Sequence, residues 1–206
     1  QQEASTKLGF SAKRTMTIAQ GLYEGVDVGN GQEGLITYMR TDSTRLSDVY
    51  VKAAQNKIVT EYGKDYLGFY HVKNDANAQD AHEAIRPTNL AYTPESIQSH
   101  LTSEQYKLYK LIYCRALASL MSNAKYNSVS VTLSRNGYDF TASGSRLTFD
   151  GWLKVYGDYD SSKDVLLPEL KINDSLSPVE IKPNQHFTEP PARYTEAKLI
   201  KEMEDK

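Results

Sequence analysis

The feature that most restricts how this chain can fold is a change of hydrophobic period near residue 124. Upstream, apolar residues recur at helical spacing: Ile18, Ala19, Leu22 and Tyr23 in one stretch, Tyr50, Ala54 and Ile58 in a second, and Tyr109, Ile112, Tyr113, Ala116 and Leu120 in a third. Downstream, Val129, Val131 and Leu133 alternate, Asn136-Gly137 offers a two-residue turn, and Tyr138, Phe140 and Ala142 alternate again. One element type cannot satisfy both periods, so the fold class is α+β, helices first and a small antiparallel sheet after. Arg146 to Tyr156 is expected to add strand, as is Leu176 to Ile181, interrupted by Pro178. The expected organisation is a helical domain over 1–123, an antiparallel β domain over 124–188, and the start of a further helical domain over 189–206.

Local punctuation sharpens the helices. Gly9 ends a first helix and Ser11 caps a second. Ser47 caps a third, with Asp48 in its first turn and Tyr62-Gly63 at its end. Thr93-Pro94-Glu95 has the form of a helix start, Thr102-Ser103-Glu104-Gln105 that of a capping box, and Thr195 can cap a last helix. Helix, glycine turn, helix, strand is the order of a winged helix-turn-helix, and Lys13 and Arg14 open the second helix where a DNA-reading module could use them. The same order serves many proteins, and basic residues in a first turn are often simply solvated.

Composition closes off several classes. The net charge is −2, so any polyanionic partner must be met by local placement of Lys and Arg. The single cysteine, Cys114, excludes an internal disulfide and a cysteine-cluster zinc site, and its helical context suits a small packed residue. No apolar run approaches the roughly 20 residues that span a bilayer. Gln1-Gln2-Glu3 does not resemble a signal peptide, so an intracellular protein is expected. Without an initiating methionine, and ending inside a helical pattern, the chain reads as a fragment. Gly29-Asn30-Gly31 is a loop without the Gly-Lys-Ser/Thr ending of a phosphate cradle.

Three stretches carry chemistry. In Gly34-Leu35-Ile36-Thr37-Tyr38-Met39-Arg40-Thr41-Asp42-Ser43, a buried strand end leads to Tyr38 and Arg40, which share a face in extended backbone. A phenol beside a guanidinium suits attack on a phosphate diester, with the guanidinium holding the phosphate. In a chain with fifteen tyrosines, Tyr38 also fits a surface phenol in water. In Gln79-Asp80-Ala81-His82-Glu83-Ala84-Ile85-Arg86-Pro87-Thr88, His82 offers an imidazole that can be cationic beside a phosphate, and Pro87 stops any helix after Arg86. His82 and Glu83 are not a metal pair, lacking a second histidine at helical spacing. In Pro190-Pro191-Ala192-Arg193-Tyr194-Thr195-Glu196-Ala197, Arg193 stands at a helix entrance, where bare physics favours a surface charge.

The ten residues Gly34 to Ser43 resemble the active-site tyrosine motif of type IA DNA topoisomerases, and Met39 between the tyrosine and the arginine looks like the bacterial topoisomerase I branch. Asp80 to Pro87 resembles a second block of that family, Pro190 to Ala197 a third, and Phe149-Asp150-Gly151-Trp152 its hinge-like β domain. The resemblance implies a winged-helix-like helical domain and a β domain within a toroidal enzyme. It implies Tyr38 as nucleophile, Arg40 as phosphate clamp and His82 as a supporting residue, with DNA contacts from Arg40, Arg86 and Arg193. The implied reaction breaks one strand through a 5′-phosphotyrosine and reseals it, relaxing negative supercoils without ATP. Single-stranded and negatively supercoiled DNA are the implied partners of a monomeric, cytoplasmic enzyme with no membrane association. Family members bind Mg2+ through an acidic cluster in a separate Toprim domain. No such cluster stands here, so no metal site is expected in this fragment, nor relaxation by it alone. A non-catalytic winged-helix DNA-binding module would account for residues 1–45, and a structural clamp segment is a third option.

Overall fold

The computed structural model describes residues 1–29, 31–70 and 82–204. Helix α1 (Gln2–Leu8) ends at Gly9, whose φ of 70° lets its N–H reach back to Ala4 and Ser5 oxygens. Helix α2 (Ala12–Glu24) starts at Ser11, whose hydroxyl accepts from Arg14 N at 3.2 Å. A two-residue-per-strand ribbon, β1 (Val26–Asp27) with β2 (Gln32–Glu33), follows. Helix α3 (Asp48–Glu61) buries Tyr50, Ala54 and Ile58, the stripe at four-residue spacing expected of it, and Val51 besides. Helix α4 (Ser103–Ala118) carries the full capping box between Thr102 and Gln105. Thr93 starts only one turn, its carbonyl accepting from Ile97 N at 3.3 Å, before a 3-10 segment at Gln98–His100.

The core gathers on α4. Tyr109, Leu22, Leu35 and Ile58 are fully buried, and Leu117 and Ile36 nearly so. Burying an aliphatic side chain of this size contributes about 1.5–3 kcal/mol. Two phenols enter the core without stranding a polar atom: Tyr109 donates to Tyr92 O at 2.7 Å and Tyr113 to Leu90 O at 2.8 Å. Arg14 Nε donates to Glu104 Oε1 at 3.1 Å, joining α2 to α4. The guanidinium that the sequence offers to DNA is therefore ion-paired across two helices.

Strands β3 (Lys125–Arg135) and β4 (Tyr138–Phe149) form the expected hairpin, with Val131 opposite Ala142 and Leu133 opposite Phe140. Asn136 and Gly137 have φ of 54° and 81°, as a two-residue turn between right-twisted strands requires. Of the further strand expected over Arg146 to Tyr156, Arg146 to Phe149 is the end of β4, and the rest is not strand. Trp152 to Tyr156 is helical, with α5 at Leu153–Tyr156, because the chain turns back into the core instead of extending the sheet. Gly151 makes that turn at φ 49°, and a Cβ there would stand 2.5 Å from Ser122 O. Trp152 N then donates to Ser122 O at 2.9 Å, and Tyr156 is buried with its hydroxyl donating to Glu3 Oε2 at 2.7 Å. Leu176 to Ile181 also forms no strand: among the described residues no sheet edge pairs with it, and Leu176, Val179 and Ile181 are exposed. Past β4 a bridge to the sheet joins Ser145 and Val165, at 2.8 and 2.9 Å. Helix α6 (Glu196–Glu204) is capped by Thr195, which accepts from Lys198 N at 3.2 Å; it lies against α1, and Glu196 accepts from Ala12 N at the start of α2 at 3.1 Å. Among the described residues no helix is long and apolar enough to cross a membrane.

Candidate active site

Residues 34–38 are placed by two neighbours. On one side Leu35 N donates to Leu22 O at 2.8 Å, docking the segment on the last turn of α2. Gly34 is needed for that approach: a Cβ there would lie 2.7 Å from Tyr23 O. On the other side the segment pairs with residues 86–88. Ile36 bridges Pro87, Thr37 N donates to Arg86 O at 3.0 Å, and Thr88 N donates to Leu35 O at 3.0 Å. The Thr37 hydroxyl donates to Ala84 O at 2.9 Å and accepts from Arg86 N at 3.0 Å. The tyrosine segment and the histidine segment are thus stitched together, although they are far apart in sequence.

Burial alternates along the tyrosine segment: Ile36 and Met39 are buried, while Tyr38 and Arg40 face solvent. The extended backbone expected between Tyr38 and Arg40 instead bends at Met39 and Arg40, with Met39 anchoring the bend in the core. Beyond it, the polar turn satisfies its own backbone: Thr41 Oγ1 accepts from Ser43 N at 3.1 Å and Ser43 Oγ from Arg45 N at 3.2 Å.

The Tyr38 ring is 36% exposed and sits between two others. Its centroid is 5.5 Å from that of His82, at an interplanar angle of 34°, and 5.4 Å from that of Tyr23, edge to face at 66°. Among the described residues, no hydrogen bond holds the Tyr38 hydroxyl or the Arg40 guanidinium, and both side chains are exposed. Tyr23 was missed as a site residue because helical spacing places it on the buried stripe of α2. One position past Leu22 at the helix end, it turns outward onto Tyr38 and is 40% exposed.

Arg86 is not open to solvent as a DNA contact would be. Its Nε and Nη2 donate to the two Glu83 carboxylate oxygens at 2.9 and 3.2 Å, Nη2 also reaches Ser47 Oγ at 3.3 Å, and Nη1 donates to Pro87 O at 3.0 Å. The guanidinium lies over the Tyr50 ring at 4.7 Å, and only 13% of its side chain is exposed. The pair with Glu83 closes a buttress under the histidine segment. Glu83 Oε2 also accepts from Ser47 N at 3.0 Å, which puts a carboxylate at the N-terminus of α3, where the helix dipole favours it. Ser47 itself makes no side-chain cap, because its hydroxyl is used on Arg86. Burial alone would raise the Glu83 carboxyl; the Arg86 and Ser47 hydrogen bonds overcome it and hold the group below the usual glutamate range. Sequence spacing could have suggested the Glu83–Arg86 pair, three residues apart, but not Ser47 or Tyr50.

Gln79, Asp80 and Ala81 of the histidine block lie outside the described residues. Arg193 is exposed just before α6 and is not brought to Tyr38 by any described contact. Among the described residues no three His, Cys, Asp or Glu side chains stand together as a metal site. Of the described residues of the histidine segment beside Tyr38, His82 offers an imidazole and Glu83 a carboxylate that is already committed to Arg86 and Ser47. They do not fit Mg2+, which is bound through free carboxylate oxygens.

The arrangement is an exposed phenol on a rigid strand end, with an imidazole against its ring and an exposed guanidinium two residues on. It can present an oxygen nucleophile to a phosphate that arrives from solvent. A DNA topoisomerase family model matches residues 1–206. The chain is 50% identical to DNA topoisomerase 1 of Helicobacter pylori (strain ATCC 700392 / 26695) over 208 residues, covering 99% of this chain and 28% of that protein. It is 46% identical to DNA topoisomerase 1 of Rickettsia prowazekii (strain Madrid E) over 214 residues, covering 100% of this chain and 28% of that one. The solved structure of full-length topoisomerase I from Thermotoga maritima, in a monoclinic crystal form, superposes with a TM-score of 0.86 at 42% identity, over 100% of this chain and 33% of that chain. The chain thus spans about 28% of the length of the curated relatives it matches.

Proposed function

The chain belongs to the type IA DNA topoisomerase family, in its bacterial topoisomerase I branch, and from that premise we propose that it is the strand-cleaving part of a longer enzyme. The observation that supports this most is the setting of Tyr38: a solvent-facing phenol whose ring is held by Tyr23 and His82 on a stitched backbone.

In the proposed step the Tyr38 oxygen attacks a phosphorus of one DNA strand. A new bond forms between the Tyr38 oxygen and the 5′ phosphate, and the bond from phosphorus to the 3′ oxygen breaks. The phenol gives up its proton and the departing 3′ oxygen gains one. One phosphodiester replaces another, so the reverse attack by the 3′ hydroxyl reseals the strand without ATP. Arg40 would bind the phosphate oxygens and offset the charge that develops on them. His82 would orient the phenol and stabilise the phosphate from the other side. Passage of the second strand through the break relaxes negative supercoils. Arg193 is proposed as a contact to single-stranded DNA. Helices α1 and α2 with the β1–β2 ribbon are read as a winged-helix-like module. The magnesium that the family resemblance implies is proposed to be held by parts of the longer protein, and the 206 residues alone are expected not to relax plasmid DNA. The working enzyme is proposed to be a cytoplasmic monomer.

The test is Tyr38→Phe in the full-length protein, with trapping of the covalent adduct on a single-stranded oligonucleotide. Loss of adduct and of relaxation is expected, with DNA still bound. An adduct mapped to another residue would overturn the reading. A non-catalytic DNA-binding module predicts no adduct even in the wild type.

A further inference from the structure

The contacts around Arg86 lead past the residues that face solvent. His82 has no described hydrogen bond that fixes its ring; it meets Tyr38 through ring packing at 5.5 Å. Its backbone position is fixed from the C-terminal side, by the next residue. Glu83 is gripped by Arg86 through both carboxylate oxygens and by Ser47 N, and Arg86 is seated on the Tyr50 ring and on Ser47 Oγ. Ala84 N adds a bond to Arg45 O at 2.7 Å. Each of these anchors outside the histidine segment belongs to α3 or the turn leading into it.

We infer that the Glu83–Arg86 pair is a positioning latch for strand cleavage, which clamps residues 83–87 on the start of α3 and so holds the His82 imidazole against Tyr38. This rests on Tyr38 being the nucleophile. The latch acts through His82 and does not touch DNA. A reacting group displaced by about 1 Å can lose on the order of 100-fold in rate, so a side chain that only sets the register of its neighbour can matter as much as one that meets the substrate.

The full-length protein provides the test. Single-turnover cleavage of a labelled single-stranded oligonucleotide and its dissociation constant by fluorescence anisotropy are measured for wild type, Arg86→Lys, His82→Ala and the double variant. Lysine keeps the charge but loses the paired bonds to Glu83. Arg86→Lys is expected to slow cleavage about 10- to 100-fold with the dissociation constant within about twofold of wild type. In the His82→Ala background the same change is expected to cost almost nothing further, because the residue it acts through is gone. Losses that multiply in the double variant overturn the proposal. So does full-rate cleavage by Arg86→Lys or by His82→Ala alone. A weakened dissociation constant with a shallower salt dependence also overturns it, since that marks Arg86 as a phosphate contact. If Arg86→Lys does not fold, judged by its melting curve, Glu83→Gln takes its place in the same cycle. Adduct formation by Tyr38→Phe would remove the nucleophile reading itself, a result separate from any of these.

Discussion

Thr37 and Arg86 are bonded to each other in both directions: Thr37 N donates to Arg86 O and Arg86 N donates to Thr37 Oγ1, each at 3.0 Å. The residue before the candidate nucleophile is thereby tied to the residue that holds the histidine segment. One hydroxyl serves as donor and acceptor at the junction, since it also donates to Ala84 O at 2.9 Å.

Thr37→Val keeps the shape of that side chain and removes the hydroxyl. Arg86 N and Ala84 O lose their partner in a half-buried site, which is expected to lower stability by about 1–3 kcal/mol. Urea unfolding should show a lower midpoint with an unchanged slope. Thr37→Ser, which retains the hydroxyl, should lose less.

Gly34→Ala tests the dock between the tyrosine segment and α2. The added Cβ would meet Tyr23 O at 2.7 Å, a backbone atom at a helix end with little freedom to move. The expected loss is about 1–3 kcal/mol, from a displaced strand end. Tyrosine fluorescence should change with it, because the displacement alters the Tyr23–Tyr38 contact.

Glu83 predicts an acid sensitivity with a defined sign. Its carboxyl is held below the usual glutamate range in the folded protein, burial opposing and the Arg86 and Ser47 bonds prevailing. Its contribution is therefore fully present above about pH 4.5 and is lost as pH falls through the lowered folded value. Removing one partner of a buried ion pair costs about 3–5 kcal/mol, and with 13% and 26% of the two side chains exposed this pair falls toward the low end. Wild type and Glu83→Gln should differ in stability at pH 7 and converge below pH 4.5 in chemical denaturation.

Cys114 is buried on α4, and that burial pushes its thiol up to about 11. The thiolate, which is the reactive form, is scarce at neutral pH and shielded as well. Iodoacetamide at pH 8 should label the folded protein far more slowly than the protein in denaturant, as mass spectrometry would read. Comparable rates would mean that α4 opens readily at this position.

The sequence by itself determined the parts whose causes lie within a few residues. Gly9 and Ser11 end one helix and begin the next, Thr102 and Gln105 cap α4 reciprocally, and Asn136-Gly137 turns the hairpin. The wording of Gly34 to Ser43 was enough to place the chain in its family. What only the tertiary structure decided depends on partners distant along the chain. Trp152 to Tyr156 has the apolar content of a strand but became a helix, because Gly151 could turn the chain onto Ser122 and Tyr156 could bury against the helical core. Leu176 to Ile181 has strand character but pairs with no edge among the described residues, and backbone groups without a partner strand stay in solvent. At the site, Arg86 reads in sequence as a cation available to DNA, yet it is turned inward by Glu83, Ser47 and Tyr50. Tyr23 reads as core, yet it lies on Tyr38. A cap is settled by hydrogen bonds a few residues long and so can be read locally. The direction of a long side chain is settled by which charge or ring the rest of the fold places beside it.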